Sequence, residues 1–320
     1  DLELILVDDG SPDESGTLCD AWAAKDDRVT VIHQDDLGVS GARNSGLAAA
    51  DSEFIVFLDS DDALRPGALQ AALTAQRAAP QDFVVWHYTT DEKAPAAVTA
   101  DAEPRTQAGL ARLWLDCLLA MPWNKLYRAD LAKQLQFDVQ YTLGEDLQFV
   151  LDYIALLGQT VPEFGYRVMT SPLTFYDCSR GGTLSTRYHA NYCDIWPKHF
   201  AKLNAACHAA ACPTEDMRPL HRAELQVFAE GVADIMRRDP SPTQRLKGYK
   251  AEAALRSPWL RALLERMKIE HCYSAYYLPC RWRNVGLVCR VDEARRANAP
   301  LYGKLDWAGY YLLLGRMRRD

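Results

Sequence analysis

Three carboxylates, Asp59, Asp61 and Asp62, follow the apolar run F54-I-V-F-L58 with a single serine among them. Like charges this close repel, so a buried strand that runs into them needs either full solvation or a cation. Two carboxylates one residue apart at a strand end offer hard oxygen ligands to a divalent ion that also grips a ligand's phosphates. The same residues also suit an acidic turn capping the helix that Arg65-Pro66 opens, because Asp is a favoured N-cap. A second acidic strand end is V7-D-D-G-S-P-D13. There Asp8 and Asp9 can accept a hydrogen bond from a uracil or thymine N3–H, or simply build a D-G-S-P-D turn. In G144-E-D-L-Q-F149, Glu145 and Asp146 open an apolar helix. A helix N-terminus favours a carboxylate anion, which serves a general base that must start ionised or merely complements the dipole.

Two further stretches carry polar or aromatic chemistry. Arg43 and Asn44 lie in the Gly-flanked G38-V-S-G-A-R-N-S-G46, where Asn44 can cap the next helix and Arg43 can pair with a local acid. W123-N-K-L-Y127 combines ring faces that pack on apolar C–H patches with an amide that reads hydroxyls. Trp123 and Asn124 equally suit an ordinary junction between helices.

The elements that must position these residues follow from periodicity. Leu2 to Val7 reads as a nearly continuous apolar strand, Ser15 to Ala24 as a helix through Leu18, Ala21 and Trp22, and V29-T-V-I-H33 as a second strand. A small-residue helix then leads to the strand Phe54 to Leu58. Strand and helix alternating in this way predict a doubly wound, mostly parallel α/β sheet, which binds ligands at the carboxyl ends of its strands. Both acidic clusters fall at that edge. A helix from Pro66 to about Ala78, a strand F83-V-V-W-H-Y88 and a strand containing Val168 and Phe175 complete the body. Beyond about residue 190 the pattern is helical, dividing the chain into an α/β region, 1–190, and a helical region, 191–320.

Composition narrows the class. The 320 residues are 48% hydrophobic and 25% charged, enough for a sizeable core, with a formal charge of -7. No net basic field exists to attract nucleic acid. Charge is uneven, however: from Ala251 onward 13 Lys and Arg stand against 7 Asp and Glu, whereas the first 250 residues hold 23 against 36. The nine cysteines include no C-x-x-C pair and read as reduced thiols of a cytoplasmic protein. No apolar run reaches the roughly 18 residues of a membrane span. The C-terminal L305-D-W-A-G-Y-Y-L-L-L-G-R-M-R-R319 suits either an amphipathic segment resting on an anionic membrane or a plain packing helix.

Taken in order, V-D-D-G-S-P-D, A-R-N, F-L-D-S-D-D, W-N-K-L-Y-R and G-E-D-L-Q-F resemble the family 2 glycosyltransferases of the GT-A fold, of the kind that builds bacterial cell-surface polysaccharide. The resemblance covers about residues 1–190. It implies that Asp8 and Asp9 hold the nucleoside, with Asp9 facing the base, and that Arg43 and Asn44 lie near the nucleotide. It implies that Asp61 is the principal ligand of Mg2+ or Mn2+, that Asp59 meets the ribose or the ion, and that Asp62 is a helix-cap or outer group. Asp146 is then the catalytic base, with Trp123, Asn124 and Glu145 on the acceptor side. The loop R180-G-G-T-L-S-T-R187 resembles the segment that closes over the diphosphate, with Arg180 as first phosphate partner and Arg187 as second. Thr183 replaces the usual Ser there, and Cys178 stands where a further Arg is common.

The implied activity is inverting, metal-dependent transfer of a sugar from a UDP- or TDP-sugar to a glycan or lipid-linked acceptor at the cytoplasmic face of a membrane. Inversion follows from a single base with no second carboxylate as nucleophile. C280-R-W-R-N284 lacks the Gln of a Q-x-x-R-W element, which points to one sugar added per encounter. The family's first strand and its nucleotide-facing loop are absent before Asp1, and a truncated beginning is expected. If the chain is whole, the alternative is a noncatalytic sugar-nucleotide or glycan-binding protein that keeps the fold.

Overall fold

The computed structural model describes residues 2–91, 93, 97–141, 143–178, 187–298 and 302. The expectations for Arg180, Thr183 and the 305–319 segment fall outside the described residues. The chain forms two compact units, Asp1–Gly181 and Gly182–Asp320. No helix among the described residues is long and apolar enough to cross a membrane.

The first unit opens with β1 (Leu4–Asp9), α1 (Ser15–Ala23), β2 (Val29–Gln34) and α2 (Gly38–Ala49). β1 and β2 pair in parallel, with Asp8 opposite His33 and Asp9 opposite Gln34. Next come β3 (Phe54–Ile55), β4 (Ala63–Leu64), α3 (Ala68–Ala78), β5 (Phe83–Thr89), β6 (Ala102–Thr106), α4 (Leu110–Leu115), β7 (Lys125–Arg128), α5 (Ala129–Ala132), α6 (Glu145–Thr160) and β8 (Gly165–Phe175). The second sheet has the order β3-β7-β5-β8-β4, with β6 also on β8. The arrangement is mixed. Its longest ladder, β5 with β8, is parallel, while β3–β7, β5–β7, β4–β8 and β6–β8 are antiparallel.

Alternation along β5 and β7 explains why both faces of this sheet are covered. Val84, Trp86 and Leu126 point toward α3, whose Ala68, Ala71, Ala72 and Ala75 recur at helical spacing and let the helix backbone approach closely. Trp86 satisfies its indole by donating from Nε1 to Thr174 Oγ1 at 2.9 Å. Phe83 and Tyr127 face the other way, against Tyr153 of α6, with ring centroids 4.8 and 4.9 Å from it.

The strand expected over Phe54 to Leu58 is paired only at Phe54 and Ile55. Four residues of β7 serve two neighbours, Tyr127 and Arg128 pairing with β3, Lys125 and Leu126 with β5. Val56 onward is outside the β3–β7 pairing, and the segment leaves the ladder toward Asp59. Phe57 nonetheless stays buried, edge-on to Tyr127, Phe137 and Phe149.

The second unit is helical: α7 (Tyr192–Ala209), α8 (Thr214–Arg238), α9 (Gln244–Leu255), α10 (Pro258–Ile269), α11 (Tyr277–Arg281) and α12 (Val285–Arg296). Leu225, Phe228, Ala229 and Val232 form one face of α8 and pack with Leu255, Leu260, Leu264, Met267, Tyr276 and Val288. The starts of α9, α10 and α12 are each fixed by an oxygen cap, Thr243, Ser257 and Asn284, with Pro258 at the first helical position of α10. All nine cysteines are free thiols.

Candidate active site

The parallel register of β1 and β2 sets two acid–partner pairs side by side at the strand ends. His33 Nδ1 lies 3.0 Å from Asp8 Oδ2, and Gln34 Nε2 donates to Asp9 Oδ1 at 2.6 Å. Asp8 also accepts from Ser11 N–H, and these bonds from Ser11 and His33 hold its carboxyl below the usual carboxylate range. Asp9 Oδ1 takes a second bond, from Leu37 N–H at 2.9 Å. The turn between them needs Gly10: its φ is 71°, and a Cβ there would meet Asp36 N at 3.1 Å.

Gln34 passes the connection to α2 by accepting from Ser45 Oγ at 2.5 Å. Two residues earlier on α2, Arg43 reaches the other acidic loop. Its guanidinium donates from Nη2 to Asp59 Oδ1 at 2.8 Å and from Nη1 to Asp146 Oδ1 at 2.5 Å. Only 11% of the Arg43 side chain is exposed, so the fork is held in a low-dielectric setting where such bonds are strong. The Phe137 ring lies 5.4 Å beneath the guanidinium carbon. Phe137 is itself stacked on Phe149, centroids 4.0 Å apart and planes at 5°.

Asp146 sits in the first turn of α6, after Gly144 at φ 79°. Burial pushes its carboxyl up to about 7, with Glu145 and Asp59 adding to the rise and Arg43 and Lys125 opposing it. Lys125 is fully buried, and its Nζ donates to Leu118 O, Met121 O and Asn124 Oδ1 at 2.5 to 2.7 Å. Burial drives that amine well below its ordinary range.

The acidic loop turns tightly, Asp62 N–H donating to Asp59 O at 3.0 Å. Of the two expectations for Asp62, a helix cap or an outer group, the cap of α3 is not formed. α3 starts after Gly67 with no side-chain cap, while Asp62 Oδ1 accepts from Asp177 N–H at 3.1 Å. Its other oxygen is buried without a hydrogen-bond partner among the described residues. Burial first, then Asp59 and Asp61, raise the Asp62 carboxyl to about 6.

Around Arg43, therefore, one guanidinium faces Asp59 and Asp146 directly, with Asp61, Asp62 and Glu145 adjoining in sequence. An excess of hard oxygen donors and an orphaned buried carboxylate oxygen are chemically suited to a divalent cation. Among the described residues, the loop carboxylates are not gathered as a set of three ligand atoms within 4.8 Å.

The structure brings Arg43, Asp59 and Asp146 into one cluster and joins Asp9 to the same helix through Gln34 and Ser45, while Asp8 is held by Ser11 and His33. It does not bring three others. Asn44, expected near the nucleotide, clamps backbone: Nδ2 donates to Phe137 O at 2.9 Å and Oδ1 accepts from Phe137 N–H at 2.8 Å. Trp123 is 3% exposed and stacks on Tyr176 at 5.4 Å, so this ring face is covered by the protein itself. Asn124 is fully buried, with Nδ2 donating to Trp86 O and Leu118 O and Oδ1 accepting from Lys125. Both of its amide N–H groups and one oxygen lone pair are engaged within the protein. Arg187 is exposed, and Glu145 is half-buried beside Asp146. Sequence reading missed Phe137 and Lys125. Phe137 stands alone after a Gln-rich stretch, and the only hint at Lys125 was a charge amid β7's apolar neighbours.

Residues 1–136 match the family profile described as "Glycosyl transferase family 2". That segment carries Asp8, Asp9, Arg43, Asp59 and Asp61 and ends before Asp146. The putative glycosyltransferase EpsH of Bacillus subtilis (strain 168) is 32% identical over 147 residues, 43% of this chain and 42% of that protein. The uncharacterized glycosyltransferase EpsJ of the same strain is 32% identical over 161 residues, 47% of each chain. The chain thus spans less than half the length of these curated relatives. Among solved structures, S. aureus TarS 1–349 in complex with UDP-GlcNAc superposes with a TM-score of 0.57 at 17% identity, over 93% of this chain and 83% of that one. By these similarities residues 1–136 match the glycosyl transferase family 2 profile, and the chain shares the fold of TarS.

Proposed function

We propose that the chain transfers a sugar, with inversion, from a UDP- or TDP-sugar to a hydroxyl of a glycan or lipid-linked acceptor, in cell-surface polysaccharide synthesis at the cytoplasmic face of a membrane. The observation that carries this reading is the Arg43 fork between Asp59 and Asp146. It couples the strand-end carboxylates suited to a nucleoside diphosphate to the carboxylate suited to deprotonating an acceptor. The donor class is in keeping with TarS, which has been solved with UDP-GlcNAc and with UDP.

In this mechanism Asp9 orients the base, accepting from its N3–H. Asp146 is the general base. Arg43 occupies its Oδ1, and Oδ2 takes the proton of the acceptor hydroxyl while the hydroxyl oxygen attacks the anomeric carbon. The bond to the diphosphate oxygen breaks with its electron pair on the leaving nucleotide. A carboxyl held near 7 is matched to this duty, because it is substantially ionised at neutral pH yet basic enough to hold the proton. Asp61 and Asp59 would hold Mg2+ or Mn2+, with the Asp62 oxygen adjoining. The bound ion neutralises charge developing on the leaving diphosphate.

The test is release of UDP from a panel of UDP-sugars with acceptor, in Mn2+ and in chelator. Asp61→Ala is expected to weaken Mn2+-assisted UDP binding. Asp146→Asn is expected to preserve that binding and lower turnover at least about 100-fold, the lower range for loss of general-base catalysis. Normal transfer by Asp146→Asn would remove the base assignment, and manganese-independent UDP binding would remove the ion.

A further inference from the structure

In the helical unit, a separate cluster brings three different metal-ligand chemistries together. One ligand atom each from His221, Glu270 and Cys272 lies within 4.8 Å of the others. His221 and Cys272 are buried, and Glu270 is 21% exposed at its side chain. His221 Nδ1 is 2.6 Å from Glu270 Oε2, and Cys272 Sγ is 3.5 Å from the same oxygen. We propose that His221, Glu270 and Cys272 form a zinc site, unrelated to the sugar-transfer reading, that ties α8 to the turn after α10.

The backbone is built to present these ligands. α10 ends in a closure where Cys272 N–H donates to Met267 O at 3.0 Å and His271 N–H to Lys268 O at 3.3 Å. The residue in the left-handed position is His271, at φ 55°, not the glycine that usually fills it. This turn sets Glu270 and Cys272, two residues apart, against His221 of α8. Strained non-glycine backbone persists where surrounding contacts over-determine it.

The outer contacts also suit a metal. His221 Nε2 lies 3.1 Å from Asn204 Oδ1, which can fix the ring so that Nδ1 faces Glu270 and Cys272. Asn204 is in turn held by its Nδ2 on Glu224 Oε1 at 2.6 Å and on Phe200 O at 2.8 Å. Charge balances as well. A Zn2+ with a Glu270 carboxylate, a Cys272 thiolate and a neutral His221 is neutral overall, and Arg266 beside Asn204 compensates the buried Glu224. Arg218 and Arg222 also face Cys272 and favour its thiolate. Without metal, burial keeps Cys272 as the thiol, so binding releases that proton to solvent. The contact between Nδ1 and Oε2 opens on binding to the wider edge of a tetrahedron with metal–ligand bonds of about 2.0 to 2.3 Å, leaving a fourth position for water.

The experiment uses the full chain, Zn2+ by calorimetry and Co2+ by absorption. Wild type is expected to take up Zn2+ at this site and, with Co2+, to show a thiolate-to-cobalt charge-transfer band. The all-oxygen loop at Asp59 and Asp61 cannot produce that band. Cys272→Ser should abolish it, and His221→Gln and Glu270→Gln should each weaken Zn2+ at this site by at least about 100-fold, a loss no smaller than outer-contact substitutions cause. Circular dichroism checks folding of each variant, and Glu270→Gln is the gentlest because it keeps shape and hydrogen bonding. Absence of the band in wild type, or its survival in Cys272→Ser, overturns the site and leaves a hydrogen-bond network only.

Discussion

Replacing Arg43 with methionine removes the guanidinium from between Asp59 and Asp146 while keeping much of the apolar stem that lies over Phe137. With charge centres about 4 Å apart and an effective dielectric of about 20, the attraction to Asp146 is about 4 kcal/mol, equivalent to about 3 pH units. Solvent reaches a carboxylate whose side chain is 28% exposed and will occupy the space vacated, which cuts the effect roughly in half. The carboxyl therefore moves from about 7 to a value about 1.5 units higher. A base works in its ionised form, so activity lies above the pKa and the acidic limb of the kcat/KM profile must move to higher pH. At pH near 7 the ionised fraction falls roughly 15-fold, and it recovers about two units higher. The assay is UDP release with acceptor at saturating Mn2+, which limits the contribution of the lost Asp59 contact. Arg43→Lys keeps the charge without the fork and should shift the limb by less. An Arg43→Met limb that coincides with wild type would refute the electrostatic account of the fork.

Two further expectations concern stability alone. Asn44→Ala strands the N–H and C=O of buried Phe137, and urea unfolding should show a loss of about 2–4 kcal/mol. Lys125→Met removes the donor to Met121 O and Asn124 Oδ1 and leaves Leu118 O only the longer bond from Asn124 Nδ2, for a similar loss at neutral pH. Because the folded pKa of Lys125 is depressed, its contribution is full above the unfolded lysine value and fades as pH falls toward the folded one. Wild type should therefore gain stability from pH 7 to 10 relative to Lys125→Met, and parallel pH profiles would contradict that.

The strands and helices around the site were legible because their signals are local. The apolar run before Asp8, the alternation at Val29 to His33 and the period of α6 each lie within one element, and the structure finds β1, β2 and α6 there. The acidic strand ends were readable for the same reason. Arg43 with Asp146 was not, since the two are 103 residues apart and no periodicity links them. Sequence left Trp123 and Asn124 open between an acceptor surface and a buried junction, because exposure is decided by tertiary packing, which buries both. That β3 pairs only at Phe54 and Ile55 was not legible either, because pairing depends on a partner strand distant in sequence.

Arg43 and Asn44 are consecutive on one helix, yet one grips the two acids and the other grips the main chain at Phe137. Neither grip can be loosened by sliding or rotating α2 without releasing its neighbour. Drift in the position of this helix is thus penalised twice, once in chemistry and once in folding. Replacing one of the two residues removes only its own grip, whereas displacing the helix removes both.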